Sequence, residues 1–347
     1  MTRRNLLVGA AASAAIASGA AAKDPLDDAC ALIEKATSSG EVSAAALYVR
    51  KNGKTFSRGF GRAKADSVFL LASITKPMTV TAVMALADRG KVSVADPVHK
   101  YLPEFIGGDR DSITVRRLLT HTSGLPDMLA DNLDLRKRHA PLKDFVAGAC
   151  KTPLLFKPGS QVKYQSMGIL LAAEIVERVA KTPLRAFLEK EVFKPLGMEH
   201  TSLGMGRYKI ADTAQCQVPT DDDWNWNSEY WRNLGAPWGG AHSTAGEVAR
   251  FLDAFLHPDG RVVKRETAAS MIVNQTGLKD PWGYGWMLKP GTFGKHCSPK
   301  TFGHYGSTGT VAWADPESGT VCVLLTTKPA DQSRAGLLGP VSDLVSA

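Results

Sequence analysis

Cysteine is scarce in this chain of 347 residues, and its five copies stand far apart. Cys30, Cys150, Cys216, Cys297 and Cys322 form no C-x-x-C pair, which excludes dithiol redox chemistry and a zinc ribbon. An odd count leaves at least one thiol unpaired within the chain. Cys322 sits in an apolar strand-like run and reads as buried, and up to two disulfides stay open. The eight histidines are scattered, with no H-x-x-x-H pair. The one acidic run, Asp221-Asp222-Asp223, reads as a solvated loop. No metal and no organic cofactor is therefore expected. Beyond residue 22 no stretch stays apolar for the ~18 residues of a membrane span. The net charge is +8, but the basic residues are dispersed. Arg116-Arg117 and Arg136-Lys137-Arg138 are the densest spots. No basic stripe is interleaved with aromatics, which excludes a nucleic-acid partner. A mildly basic surface suits acidic substrates or an anionic cell envelope.

The first residues give an address. Arg3-Arg4 precedes a short run of Ala, Val, Ile, Ser and Gly that closes on Ala20-Ala21-Ala22. A charged start, an apolar stretch and a small-residue cleavage site make an export signal over residues 1–22. The paired arginines point to the twin-arginine route, with an ordinary secretory signal or an uncleaved anchor as the alternatives. The mature chain, residues 23–347, is then expected in the periplasm or outside the cell. It is long enough for one large domain around a sizeable core.

Ser73-Ile74-Thr75-Lys76 carries the most chemistry. Residues i and i+3 share a helix face, so the serine oxygen and the lysine amine can meet. A lysine takes a serine's proton only when its amine is neutral, and burial makes it so. The motif alone is weak, and Ser160-Gln161-Val162-Lys163 repeats it. The context favours Ser73. A run from Val80 to Ala87 is apolar almost all round, as in a buried helix. Asp88-Arg89-Gly90 ends it with a C-terminal glycine, and Pro77 falls in its first turn. Ser160 instead follows Pro158-Gly159 in a loop. These residues predict acyl transfer by Ser73 with Lys76 as base.

The pattern elsewhere predicts an α/β (α+β) architecture. Asn52-Gly53 between apolar runs at 44–50 and 55–61 signals a hairpin. Pro316-Glu317-Ser318-Gly319 joins a second one, over 310–315 and 321–327. A helix from about Asp331 closes the chain. Residues 166–181 carry apolar positions at helical spacing. Thr244-Ala245-Gly246-Glu247 reads as a capping box opening a helix that stops near His257-Pro258. The expectation is one antiparallel sheet built from both chain ends and flanked by helices, with a mostly helical subdomain inserted.

Two further segments extend the site. Tyr164, in Lys163-Tyr164-Gln165-Ser166, stands directly before a helix. It either relays a proton, its pKa lowered by neighbouring lysines, or merely covers the helix start. Gly303-His304-Tyr305-Gly306-Ser307 precedes the second hairpin. It is either a glycine-rich strand entry or a strand that approaches a substrate closely and supplies an oxyanion-binding N–H. Trp224, Trp226, Tyr230, Trp231 and Trp238 crowd one loop. They either wall an apolar cleft or form the loop's own core.

In combination these segments resemble the serine β-lactamase-like family: class C β-lactamases, D,D-carboxypeptidases and β-lactamase-fold esterases. The order Ser73-Ile74-Thr75-Lys76, Tyr164-Gln165-Ser166, His304-Tyr305-Gly306 is that family's. So are Leu118-Leu119-Thr120-His121-Thr122-Ser123-Gly124-Leu125-Pro126, Phe156-Lys157-Pro158-Gly159, Phe193-Lys194-Pro195-Leu196-Gly197-Met198 and Ala241-His242-Ser243-Thr244-Ala245. The resemblance implies the β-lactamase/transpeptidase-like fold. It implies Ser73 as nucleophile, Lys76 as general base, Tyr164 as proton shuttle, and the N–H groups of Ser73 and Ser307 as oxyanion hole.

Three departures bear on the substrate. Ser166 replaces the family's usual Asn and offers fewer donors. His304 stands where a β-lactamase has lysine and is a weaker carboxylate anchor. Tyr305 replaces a small residue and is expected to narrow the acyl pocket. The reading is an exported serine hydrolase, esterase-like, acting on small esters or amides. The alternatives are a D,D-carboxypeptidase or weak class C-type β-lactamase on a peptidoglycan-like substrate, and a non-catalytic binding protein.

Overall fold

The computed structural model describes residues 24–347, so the expected export signal lies outside the described residues. The first hairpin pairs β1 (Ala44–Lys51) with β2 (Lys54–Gly61). Asn52 and Gly53 take φ of 52° and 71°, the mirror-image turn that matches the twist of paired strands. Three short strands follow, β3 (Phe69–Leu70), β4 (Ser202–Leu203) and β5 (Ala241–Ser243). The last three are β6 (Phe302–Gly306), β7 (Thr310–Asp315) and β8 (Thr320–Thr326). The main sheet is antiparallel in the order β2-β1-β8-β7-β6. Leu47 lies opposite Leu324, so the two end hairpins are zipped side by side, as expected.

The strand alternation divides the core between the two faces. Ala45, Leu47 and Val49 join Ile33, Trp313, Leu324 and Val341 in one cluster. The helices Pro25–Ser38 and Gly339–Ser346 cover that face. Ala44 and Ala46 point the other way, into a larger cluster with Val83, Leu170 and Phe251. Here the helix Ala245–Leu256 covers the sheet. Beyond it lies the inserted helical region, centred on Thr75–Asp88 and Met167–Ala180. The Thr75–Asp88 helix is buried along nearly its whole length, which is why its sequence shows no polar face.

Two features differ from expectation. β3, β5 and β4 form a second small sheet; at two or three residues each, these strands show no readable period. The capping box closes only halfway. Thr244 Oγ1 accepts from Glu247 N–H at 3.3 Å, but the Glu247 carboxylate turns away. It accepts from His200 N–H at 2.9 Å and from Thr201 Oγ1 at 2.6 Å, tying the helix start to the β4 approach.

Candidate active site

Ser73 sits in a 3₁₀ turn, Ala72–Ile74, that runs directly into the Thr75–Asp88 helix. The turn is strained, because Ala72 has a φ of 47°, a region that residues with a Cβ seldom adopt. Its surroundings hold it there. Leu71 N–H donates to Ala241 O at 2.9 Å. Thr308 Oγ1 and Thr310 Oγ1 donate to Leu70 O and Leu71 O at 2.7 and 2.9 Å. Thr75 Oγ1 donates to Ala72 O at 2.6 Å and accepts from Ala241 N–H. Gly306 permits the contact: a Cβ there would lie 2.2 Å from Leu71 O.

Lys76 follows one turn later and is 1% exposed. Its Nζ donates to Ser73 Oγ at 3.1 Å and to Trp238 O at 3.0 Å. Burial pushes its pKa down to about 7, against the opposing pull of the Asp127 carboxylate. The amine is therefore divided between neutral and charged forms at neutral pH. Ser160 and Lys163, the rival pair, are both exposed.

Tyr164 reaches the same place from the start of the Met167–Ala180 helix. Lys76 Nζ lies 4.6 Å from the centre of its ring. The backbone on either side is pinned to His121: Lys163 N–H donates to His121 O at 2.9 Å, and Gln165 N–H to His121 Nδ1 at 3.1 Å. The Tyr164 hydroxyl differs from expectation. Burial raises its pKa, which outweighs the opposite effect of its hydrogen bond with Ser73. The neighbouring lysines do not depress it, because Lys163 is exposed to solvent and Lys76 is itself half neutral. At neutral pH Tyr164 keeps its proton and is a donor.

On β6, His304 and Tyr305 face opposite sides of the sheet. His304 is 1% exposed, and its ring lies 5.9 Å from that of Tyr164. Its pKa is lowered to about 3, first by burial and then by Lys76. Tyr305 points away, into the cluster with Trp313 and Leu338. It stacks on Phe293 at 5.5 Å and donates to Thr292 O at 3.1 Å. The expected narrowing of the acyl pocket by Tyr305 is thus corrected, since adjacent strand residues cannot both face it. Ser307 follows β6 at an exposed position, and its carbonyl accepts from Ala330 N–H at 2.9 Å.

Ser166 is buried and donates to Asp127 Oδ1 at 2.5 Å. Asp127, His121 and Trp282 were not among the expected site residues. His121 and Trp282 wall the site, with rings 4.4 Å apart, edge to face. Asp127 lies one residue past the Leu118–Pro126 segment, and its position there was the one available signal. In the aromatic loop, Trp231 and Trp238 are 5% and 2% exposed. Fully buried Arg232 binds Trp226 O, Ala214 O and Asn227 Oδ1 at 3.0 Å each. Trp231 and Trp238 anchor the loop in the larger core cluster, with the Trp238 ring 5.9 Å from that of Phe145, and the loop offers Lys76 the Trp238 carbonyl oxygen. Among the described residues all five cysteines are free and no group of side chains has a metal-binding arrangement.

The sequence model described as "Beta-lactamase" matches residues 30–342. "Protein flp" of Staphylococcus aureus (strain COL) is 30% identical over 190 residues, 51% of this chain and 38% of that protein. The chain thus matches about two fifths of the length of the first curated relatives. A Salmonella typhi protein named "Putative D-alanyl-D-alanine carboxypeptidase" is 27% identical over 326 residues, 81% of this chain and 74% of that one. Among solved structures, "EstCE1, a hydrolase with promiscuous acyltransferase activity" superposes with a TM-score of 0.77 at 19% identity, covering 93% of this chain and 99% of that one. That likeness shows the fold.

Proposed function

The chain belongs to the β-lactamase-fold family of serine hydrolases, and from that premise we propose that it hydrolyses small esters or amides through an acyl-enzyme on Ser73. One observation carries the reading: the buried Lys76 amine, with a pKa of about 7, stands 3.1 Å from Ser73 Oγ. In its neutral form Lys76 takes the Ser73 proton. Ser73 Oγ then bonds to the substrate carbonyl carbon, and the carbonyl π pair moves to oxygen. The N–H groups of Ser73 and Ser307 receive that oxyanion. Collapse of the adduct re-forms the carbonyl and breaks the bond to the leaving group. Tyr164 donates a proton to the departing oxygen or nitrogen and recovers one from Lys76. Water, losing its proton along the same relay, then attacks the acyl carbon and frees Ser73.

Neutral His304 supports an ester or simple amide over a substrate that needs a cationic carboxylate anchor. The Salmonella typhi relative supports a second reading, release of D-alanine from a D-Ala-D-Ala peptide. We also propose that residues 23–347 are the mature hydrolase domain, exported after loss of residues 1–22. N-terminal sequencing of the protein from the periplasmic fraction tests that step.

Ethyl butyrate, a D-Ala-D-Ala peptide and a chromogenic cephalosporin, each run with wild type and Ser73→Ala, separate the readings. Ester turnover that vanishes in Ser73→Ala is expected. Undiminished turnover in that variant, or no labelling of Ser73 by a fluorophosphonate, overturns the acyl-enzyme.

A further inference from the structure

Ser166 has one hydroxyl proton, and it is committed to Asp127 Oδ1 at 2.5 Å. What Ser166 still offers the site is a lone pair, so it can only accept. Asp127 is exposed, with no salt bridge among the described residues, and its second oxygen, Oδ2, has no hydrogen-bond partner there. Its partner Ser166 follows Tyr164 by two residues, and the Tyr164 ring centre lies 4.6 Å from Lys76 Nζ, which sets the pair beside the same site; the Asp127 charge also opposes the fall in the Lys76 pKa. The two side chains therefore present acceptors only, one of them an exposed carboxylate without a salt bridge, and Lys76, the cation that shares the site, is half neutral at pH 7. On the far wall, His304 carries no charge to offset it. The group that complements such a corner is a compact cation with several N–H donors, a primary ammonium. A carboxylate placed there meets repulsion and no donor.

We propose that Asp127 and Ser166 form a cation-recognition subsite, and that this enzyme prefers acyl donors with a primary ammonium close to the scissile carbonyl, as in amino-acyl esters and amides. This rests on the reading of Ser73 as nucleophile. Three esters matched in chain length test it: β-alanine ethyl ester, ethyl butyrate and monoethyl succinate carry a positive, neutral and negative group at one position. Wild type is expected to favour the cationic ester over the neutral one by about tenfold or more in kcat/KM, the scale of one charge-assisted hydrogen bond. The anionic ester ranks last. Asp127→Asn brings the cationic-to-neutral ratio to within about twofold of one, and Asp127→Glu restores part of it.

The outcomes separate cleanly. If wild type cleaves none of the three esters, or Ser73→Ala cleaves them as fast as wild type, the nucleophile reading fails and the subsite with it. If turnover depends on Ser73 but wild type shows no cationic preference, or Asp127→Asn keeps that preference, the subsite alone is overturned.

Discussion

His304 donates its Nδ1 proton to the carbonyl oxygen of Tyr305, the next residue, across 2.6 Å. A carbonyl can only accept, so the proton sits on Nδ1 and Nε2 keeps its lone pair. That nitrogen is buried without a partner among the described residues. Protonating it would place a cation in a dry wall beside Lys76, which is why its pKa falls to about 3.

The first prediction concerns acid. Burial lowers the pKa of His304 and His242 to about 3, and that of His121 well below the usual imidazole value. Between their folded pKa values and about 6.5 the unfolded chain binds more protons than the folded one. Stability therefore falls as pH drops through that window. Urea unfolding at pH 7.5 and 4.5 should show a clear loss at the lower pH. Imidazole carbon-bound proton shifts of His121, His242 and His304 should stay flat from pH 8 to 5. A midpoint near 6.5 for His304 would contradict the neutral wall.

Lys76 makes the second prediction. The rate needs the neutral amine, so kcat/KM for ethyl butyrate should rise through a pKa near 7. Asp127 holds that pKa up, so Asp127→Asn should move the acid limb to lower pH. A limb that stays put, or moves upward, counts against Lys76 as the base.

The same lysine costs stability. Between about 7 and 10.5 the unfolded chain holds a proton that the folded chain has lost. Stability from this group therefore declines as pH falls through that range and is lowest below it. Lys76→Met should abolish turnover yet raise stability at pH 7 by about 1–2 kcal/mol, and by less at pH 10. Denaturant titrations at the two pH values measure the difference. Equal or opposite changes would show that burial of the amine is not what the fold bears.

Tyr164 is a protonated donor, so its removal should hurt most where the leaving group needs a proton. Tyr164→Phe is expected to slow an ethyl ester by about 10²–10⁴-fold and a p-nitrophenyl ester far less. Equal losses on both esters would make Tyr164 a positioning residue instead.

The sequence disclosed these parts unevenly, for physical reasons. The hairpin at Asn52-Gly53 and the helix after Ser73 were readable because turn chemistry and apolar pattern are local signals. The small sheet was not, since β3 and β4 hold two residues each. Strand alternation alone separates Tyr305 from His304, since adjacent strand residues face opposite sides. Asp127 is not legible from spacing, because its partner Ser166 lies 39 residues away and no spacing rule links them. The half-closed box at Thr244 needed knowledge of His200 and Thr201, which only the folded chain brings to Glu247.

Gly306 gives the last prediction. A Cβ at this position would meet both Leu71 O and Thr310 Oγ1 at 2.2 Å, and those atoms hold the turn carrying Ser73. Gly306→Ala should destabilise the fold by about 1–3 kcal/mol and cut fluorophosphonate labelling of Ser73 in the fraction that remains folded. An alanine variant with wild-type stability and labelling would show that this approach is not tight.

The pairing of β1 with β8 also orders events in time. Arg50 lies opposite Val321, so a ribosome must add some 270 residues (order of magnitude) before β1 meets its inner neighbour, a long loop to close. β6 and the turn at Ala72 meet only in that same late phase. A nascent chain thus carries Ser73 and Lys76 from early on, yet assembles their shared environment at the end of synthesis.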